Sequence, residues 1–149
     1  MNDDEKWMNH ALEQAKKAEK EGEVPVGAIL VKDGLLVAKA HNQPISKNDP
    51  TAHAEIQLIR IAGEKFKNYR LNGTSLYVTL EPCAMCLGAI MHARIERVVF
   101  GAYDSKTGVC GSKENLTEAS CFNHKIDLVS GVLETESKQI LKKFFNTRR

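Results

Sequence analysis

The chain has 149 residues, of which 42% are hydrophobic and 27% charged, with a formal net charge of +2 at pH 7. These values fit one globular domain over residues 1–149 whose core needs no disulfides. The small charge does not by itself indicate nucleic-acid binding, no apolar run is long enough to span a bilayer, and the polar N-terminus excludes a secretory signal. We therefore expect a cytoplasmic protein with reduced cysteines and no membrane partner.

Predicted helices and strands alternate along the chain. The spacing of apolar residues sets their type, and turn-forming residues set their ends. In chain order we predict a helix at 4–20, hairpin strands at 26–31 and 35–40, a loop at 43–50, a helix at 52–65, a strand at 75–80, a helix at 83–93, and strands at 97–102 and 126–132 before a closing helix at 134–146.

Two helix starts and one loop carry more detailed expectations. Thr51 is expected to cap the helix that runs to about Lys65. Pro82 is expected where the helix at 83–93 begins, because its missing N–H costs nothing there. The glycine-rich and polar segment 103–124 is expected to contain one short helix near Leu116. Strand–helix alternation after a hairpin predicts a three-layer α/β/α sandwich on a mixed five-stranded sheet.

Two short motifs carry candidate chemistry. His53 stands two residues before Glu55, and the pair Cys83-x-x-Cys86 follows about thirty residues later, directly after Pro82. Cysteines at i and i+3 share one helix face, and the positive end of a helix favours the thiolates that zinc binds. His53, Cys83 and Cys86 are thus three candidate ligands for one Zn²⁺, with a fourth position open to water as in catalytic sites.

Glu55 is the candidate catalytic residue. Positions i and i+2 of a helix point to different sides, so His53 and Glu55 can approach one metal only if it lies over the N-terminal end of their helix. A carboxylate there can accept a proton from zinc-activated water and pass it to a substrate.

Other interpretations of these motifs remain open at this point. Cys83 and Cys86 also fit a dithiol redox pair that follows a strand and opens a helix. A purely structural zinc site needs a fourth protein ligand. The candidates for that ligand are His41, His92, Cys110 and Cys121.

His-x-Glu followed by Pro-Cys-x-x-Cys is the signature of zinc nucleobase deaminases. The chain resembles the cytidine-deaminase superfamily and, more closely and over nearly its whole length, the bacterial tRNA-specific adenosine deaminases. The stretches that carry this resemblance are 22–28, 41–42, 51–55, 77–86, 88–90, 92–95, 98–102, 104–108, 111–112 and 144–145.

The resemblance implies hydrolytic deamination of adenosine to inosine at the wobble position of a tRNA anticodon, by zinc-activated water with Glu55 as proton shuttle. It also implies a cytidine-deaminase-like fold, a homodimer and a tRNA anticodon stem-loop as partner. The rival functions are a deaminase of a free base or nucleoside such as guanine or cytosine, and a zinc-stabilised RNA-binding module without activity.

The same resemblance assigns substrate contacts to single residues. It implies that Asn42 contacts the flipped nucleoside, that the backbone N–H of Ala54 bonds the base, that Val26 lines the base pocket, and that Asp104 and Lys106 meet neighbouring nucleotides. Each side chain has a simpler alternative: Asn42 as a turn former, Val26 as a core residue, and Asp104 and Lys106 as ordinary loop charges.

The C-terminal end combines aromatic and basic residues. Phe144 and Phe145 resemble an aromatic pair near the anticodon loop, although helical spacing predicts that one of the two is buried. The basic residues are expected either to contact phosphates or to form a solvated helix face. They are Lys138, Lys142, Lys143, Arg148 and Arg149.

Overall fold

The computed structural model describes residues 3–148, so Arg149 of the predicted basic end lies outside the described residues. The elements follow the predicted order with small shifts of their ends. They are α1 (Asp3–Lys20), β1 (Gly27–Lys32), β2 (Leu35–His41), α2 (Pro44–Lys47), α3 (Ala54–Phe66), β3 (Thr74–Leu80), α4 (Ala84–Ala93), β4 (Arg97–Ala102), β5 (Asp127–Val129) and α5 (Glu134–Thr147).

The five strands form one mixed sheet in the order β2-β1-β3-β4-β5. Strand β1 pairs antiparallel with β2 and β3, whereas β3 is parallel to β4 and β4 to β5. The parallel pairing sets Leu80 opposite Ala102, so the carboxyl ends of β3 and β4 meet at one end of the sheet. The antiparallel pairing of Ala28 with Val78 brings the start of β1 to that same end.

Helices cover both faces of the sheet, which confirms the predicted three layers. On one face, Leu58 of α3 and Leu87 of α4 pack with Leu30 and Leu76 of the sheet in the larger core. On the other face, the α1 residues Trp7, Met8 and Ala11 pack with Ile29, Tyr77 and Val99. Helix α5 contacts α1, β3 and β4. Within residues 3–148, no helix has the length and apolar character needed to cross a membrane.

Two predicted helix starts are wrong by one or two residues. Helix α3 begins at Ala54 with His53 as its N-cap, because the Thr51 hydroxyl instead donates to Asp49 Oδ1 at 2.7 Å. Helix α4 begins at Ala84 with Cys83 as its N-cap, so Pro82 precedes the helix. In each case the capping position falls on a predicted metal ligand.

The loops differ from prediction in three places. Residues 44–47 of the predicted loop form the short helix α2, whose N–H groups at Ile45 and Ser46 donate to the distant Glu23 carboxylate at 3.1 and 2.7 Å. The short helix expected near Leu116 is absent from the described residues, where Asn115 forms an isolated bridge with Cys110. Strand β5 has three residues and not the seven predicted for 126–132.

Candidate active site

A cavity of about 220 Å³ lies at the end of the sheet where β3 and β4 have their carboxyl ends. Five chain segments line it: the entry to β1, the exit of β2, the start of α3, the β3–α4 connection and the loop after β4. The lining residues are Val24, Val26, Asn42, His53, Glu55, Leu80, Glu81, Cys83, Asp104 and Thr107.

Three predicted ligands, His53, Cys83 and Cys86, converge beside this cavity and are called the ligand cluster below. His53 and Cys83 are the N-caps of α3 and α4, and both have extended backbones with no side-chain bond to their own helix. Their side chains are therefore free of the usual capping role and turn towards each other. Two helix N-termini, with their positive dipole ends, meet at the ligand cluster and favour anionic sulfur there.

The size of the ligand cluster fits a tetrahedral metal ion. His53 Nδ1 lies 3.7 Å from Cys83 Sγ and 3.5 Å from Cys86 Sγ, and all three ligand atoms lie within 4.8 Å of one another. Bonds of about 2.3 Å to sulfur and about 2.0–2.1 Å to nitrogen place the two atoms about 3.6 Å apart in a tetrahedron. The donor set, two sulfurs and one imidazole, is also one that zinc favours.

Hydrogen bonds within the ligand cluster already polarise its thiols. A hydrogen bond from Cys86 lowers the pKa of Cys83 to about 4, and the hydrogen bond to Cys83 raises the pKa of Cys86 and of His53. The three groups thus share protons that a divalent cation would displace, because metal ligands must be deprotonated.

Glu55 lies in the first turn of α3, and only 4% of its surface is exposed. Burial raises the pKa of its carboxyl to about 7, with a further upward contribution from the Cys83 thiolate. A carboxyl with this pKa can both take up and release a proton near neutral pH, which is the property of a general acid–base catalyst. The predicted juxtaposition of His53 and Glu55 over the end of one helix is what the structure contains.

The alternative fourth protein ligands do not reach the ligand cluster. Among residues 3–148, the ligand cluster is the only group of three or more potential ligands that converges in this way. His41 is bonded to Glu21 at 3.0 Å, and His92 and Cys121 are exposed elsewhere. Cys110 is buried nearby, but its sulfur is not among the converging ligand atoms. The arrangement is therefore that of an open three-ligand site.

Three predicted substrate residues border the ligand cluster. Asn42 lines the cavity with 9% of its surface exposed, and its backbone N–H donates to Val26 O at 3.0 Å. Val26 is both a core residue, 6% exposed, and part of the cavity wall, so its two interpretations are compatible. Ala54 is fully buried in the first turn of α3, where backbone N–H groups have no partner within the helix.

Asp104 and Lys106 lie on the loop after β4. The Asp104 carboxylate accepts hydrogen bonds from the N–H of Lys106 at 3.0 Å and from the N–H and hydroxyl of Thr107 at 3.2 and 2.9 Å. Asp104 therefore organises its own loop and also lines the cavity. Exposed Lys106 lines a second, adjoining cavity of about 420 Å³.

The aromatic pair divides as its helical spacing predicts. Phe144 is 7% exposed and lies under the Arg148 guanidinium, whereas Phe145 is 50% exposed. Phe145 lines the second cavity together with Tyr103 and Lys106. Of the two aromatic residues, Phe145 is the one that an approaching molecule can reach.

Two buried glutamates, of which Glu81 lines the cavity, were missed by the sequence-based predictions. Glu81, 2% exposed, holds the loop after β4, and Glu23, 1% exposed, holds α2. The position of Glu81, between an apolar strand and Pro82, was a usable signal. Glu23 gave no local signal, because its partners follow more than twenty residues later.

Comparison with known proteins agrees with this geometry. The MafB19-like deaminase family model matches residues 2–149. A tRNA-specific adenosine deaminase of Haemophilus influenzae is 51% identical over 98% of this chain and 85% of its own length. A structure from a study of A-to-I editing by tRNA:A34 deaminases at the wobble position of transfer RNA is 46% identical, with a TM-score of 0.88, and the match covers 91% of this chain and 98% of that one.

A guanine deaminase structure from Bacillus subtilis is also similar, at 41% identity and a TM-score of 0.65, over 69% of this chain and 66% of that one. Its match is shorter and its fold agreement lower than those of the tRNA:A34 deaminase structure. The chain therefore belongs to the MafB19-like deaminase family, together with the tRNA-specific adenosine deaminases.

Proposed function

We propose that this chain deaminates adenosine to inosine at the wobble position of a tRNA anticodon and that the ligand cluster holds one Zn²⁺. The observation that carries the proposal is the buried Glu55 carboxyl beside three converging ligand atoms at the cavity. Relatives that act on tRNA adenosine are 51% and 46% identical over nearly the whole chain, and this identity favours tRNA adenosine over a free base as the substrate.

Bound zinc supplies Lewis-acid activation of water at neutral pH. Glu55 takes one proton from the attacking water and delivers it to N1 of adenine, and it then takes a second proton from the new C6 hydroxyl and delivers it to the departing amine. Water adds at C6 and ammonia leaves, so the product is inosine. The pKa of about 7 of Glu55 suits both transfers.

The residues around the ligand cluster orient the base. Asn42 contacts the nucleoside, the N–H of Ala54 bonds the base and Val26 closes the pocket beside it. The second cavity, with Asp104 and Lys106 on its loop and Phe145 on α5, takes the neighbouring nucleotides. An exposed aromatic ring beside a cation suits stacking on an unpaired base, whereas buried Phe144 supports α5.

A homodimer and a cytoplasmic location belong to the same proposal. The helix layer of α3 and α4 and the short helix α2 expose apolar side chains at Ile45, Ile61 and Met85, which are 69%, 46% and 37% exposed. A second copy of the chain is the proposed partner for this layer, and the cytoplasm is where the tRNA substrate is found.

The test is a single-turnover assay on an anticodon stem-loop with adenosine at the wobble position, with zinc measured in the same sample. We expect stoichiometric zinc, inosine in the loop and almost none when the same adenosine is paired in a duplex, because the base must leave its stack to react. Turnover of free guanine without any inosine would instead establish the rival free-base deaminase.

A further inference from the structure

The Glu81 carboxylate lies at the junction between the ligand cluster and the loop after β4. Its Oε1 accepts the N–H of Asp104 at 2.9 Å and the Ser112 hydroxyl, and its Oε2 accepts the N–H of Cys110 at 2.9 Å and of Ser112 at 3.0 Å. One carboxylate thus binds both ends of the segment 104–112. This segment is called the Glu81 loop below.

Within the described residues, the buried Glu81 carboxylate is bound by N–H and O–H donors and by no cationic side chain. Glu81 is 2% exposed, and no lysine or arginine forms an ion pair with it within the described residues. Hydrogen bonds to an ionised acceptor are roughly twice as strong as neutral ones. The carboxylate, and not merely a side chain of this volume, therefore holds the Glu81 loop.

The Glu81 loop is shaped to enclose the carboxylate. A Cβ atom at Gly108 would lie 2.4 Å from Glu81 Cδ and 2.6 Å from Asp104 O, so only glycine fits there. A backbone hydrogen bond adds to the side-chain contacts of Glu81, since the Val109 N–H of the Glu81 loop donates to Pro82 O at 3.1 Å. The Glu81–Pro82 segment thus binds the loop immediately before the chain reaches Cys83.

The position of the Glu81 loop decides the shape of the cavity. Asp104 and Thr107 line the cavity together with His53, Glu55 and Cys83. Resting on the deaminase function proposed above, we propose that Glu81 is a positioning residue that fixes the Glu81 loop as the substrate-facing wall of the site. It acts through the loop on substrate seating, while the ligand cluster is fixed separately by α3 and α4.

Glu81→Gln tests this assignment with little change of shape. Whichever oxygen becomes an NH₂ group, at least one backbone N–H loses its acceptor. We expect KM for the anticodon stem-loop to rise about tenfold, which corresponds to 1.4 kcal/mol. We expect kcat within about twofold of the parent and unchanged zinc. Gly108→Ala leaves the carboxylate intact but displaces the loop, and it should reproduce the rise in KM.

Thr74→Val is the matched control. Thr74 is at the opposite end of β3, 1% exposed, and its hydroxyl donates to Leu71 O at 2.6 Å. It should lower the melting temperature without changing KM. Amide hydrogen exchange gives a readout independent of activity: in Glu81→Gln, exchange of residues 104–112 should accelerate while that of α3 stays at the parent rate.

The outcomes separate the two proposals. A parent enzyme that forms no inosine would overturn the proposed function, and amide exchange would then decide the role of Glu81 alone. An active parent with unchanged KM in Glu81→Gln, or with a KM change that Thr74→Val shares, would overturn the positioning role. Unaltered exchange at 104–112 in Glu81→Gln would show that the Glu81 carboxylate does not hold the Glu81 loop, and the proposal would be overturned.

Discussion

The two faces of the sheet each carry a cluster of polar residues, and the two clusters differ in how their groups are satisfied. On the α1 face, Arg97 donates to both Asp4 oxygens at 2.8 Å, and the Tyr77 hydroxyl donates to Asp4 Oδ1 at 2.7 Å. On the α3–α4 face, the ligand cluster brings two thiols and an imidazole together around shared protons, beside the buried Glu55 carboxyl.

The difference indicates which polar cluster stabilises the fold and which one binds a ligand. In the α1-face cluster, the Asp4 carboxylate is paired with the Arg97 guanidinium and the Tyr77 hydroxyl, so its charge is balanced within the chain and no bound ion is required. In the ligand cluster, soft donors converge at a cavity with the spacing of a tetrahedral ion, an arrangement that a metal stabilises. Substitutions on the two faces should therefore separate activity from stability.

The largest effect is expected from Cys86→Ser, which removes a ligand buried at 0% exposure. Zinc affinity should fall by more than about 100-fold, because removing a residue that only hydrogen-bonds to a metal ligand already lowers affinity by up to about 100-fold. Activity should be lost, and the melting temperature should fall because metal-binding energy contributes to folding. Metal analysis and thermal unfolding measure these effects. Exposed Cys121→Ser is the matched control, and stoichiometric zinc in Cys86→Ser would refute the ligand assignment.

Glu55→Gln should separate chemistry from binding within the same face. We expect the rate of inosine formation to fall about 10²–10⁴-fold, because an amide cannot relay a proton. Zinc content and the melting temperature should stay near those of the parent, since Glu55 is not a ligand. Exposed Glu64→Gln, the same change on the same helix, should leave the rate unaltered. Equal rates in Glu55→Gln and the parent would contradict the proton-shuttle role.

The sequence predicted the α3–α4 face well because its chemistry is local. His53 and Glu55 are two residues apart, Cys83 and Cys86 three, and each pair lies on one helix start. Local spacing therefore places each pair. The antiparallel pairing of both β2 and β3 with β1 brings the carboxyl ends of these two strands, and with them the two helix starts, to the same end of the sheet. What local spacing did not provide was the capping position. Asp49 binds the Thr51 hydroxyl, and the N-cap moves on to His53.

The contacts of the α1-face cluster and of the two buried glutamates were not predictable from local spacing. Asp4 and Arg97 are 93 positions apart, and Glu81 and Ser112 are 31 apart, so only the tertiary fold joins them. Helix α2 also depends on a distant residue, but here a segment that was predicted as a loop is helical. Its loop-like composition becomes helical because the distant Glu23 accepts its first free N–H groups. Long-range capping of this kind leaves no periodic trace in the sequence.

Asp4→Asn should give the smallest effect, confined to stability. The Asp4–Arg97 pair is partly exposed, with side-chain exposures of 21% and 31%, so we expect a loss of about 0.5–1 kcal/mol in the free energy of unfolding at pH 7. The rate of inosine formation should be unchanged. Urea unfolding of Asp4→Asn and of the exposed neighbour Asp3→Asn, which shares the helix start, separates the pair from a general helix-dipole effect.

The pH dependence of this difference tests its cause. The hydrogen bonds from Arg97 hold the pKa of Asp4 below its ordinary value of 3.8. Above that value the carboxylate is ionised in the folded and the unfolded chain, so the contribution of the pair is fully present. As the pH falls through the lower folded pKa, the folded carboxylate takes up its proton and the contribution disappears. The gap between parent and Asp4→Asn should therefore be constant from pH 7 to about pH 5 and shrink below pH 4. If the stability difference between the parent and Asp4→Asn stayed the same in acid, Asp4 would stabilise the fold by its shape and not by its charge. The α1-face cluster would then not be the charge-balanced cluster that the comparison of the two faces requires.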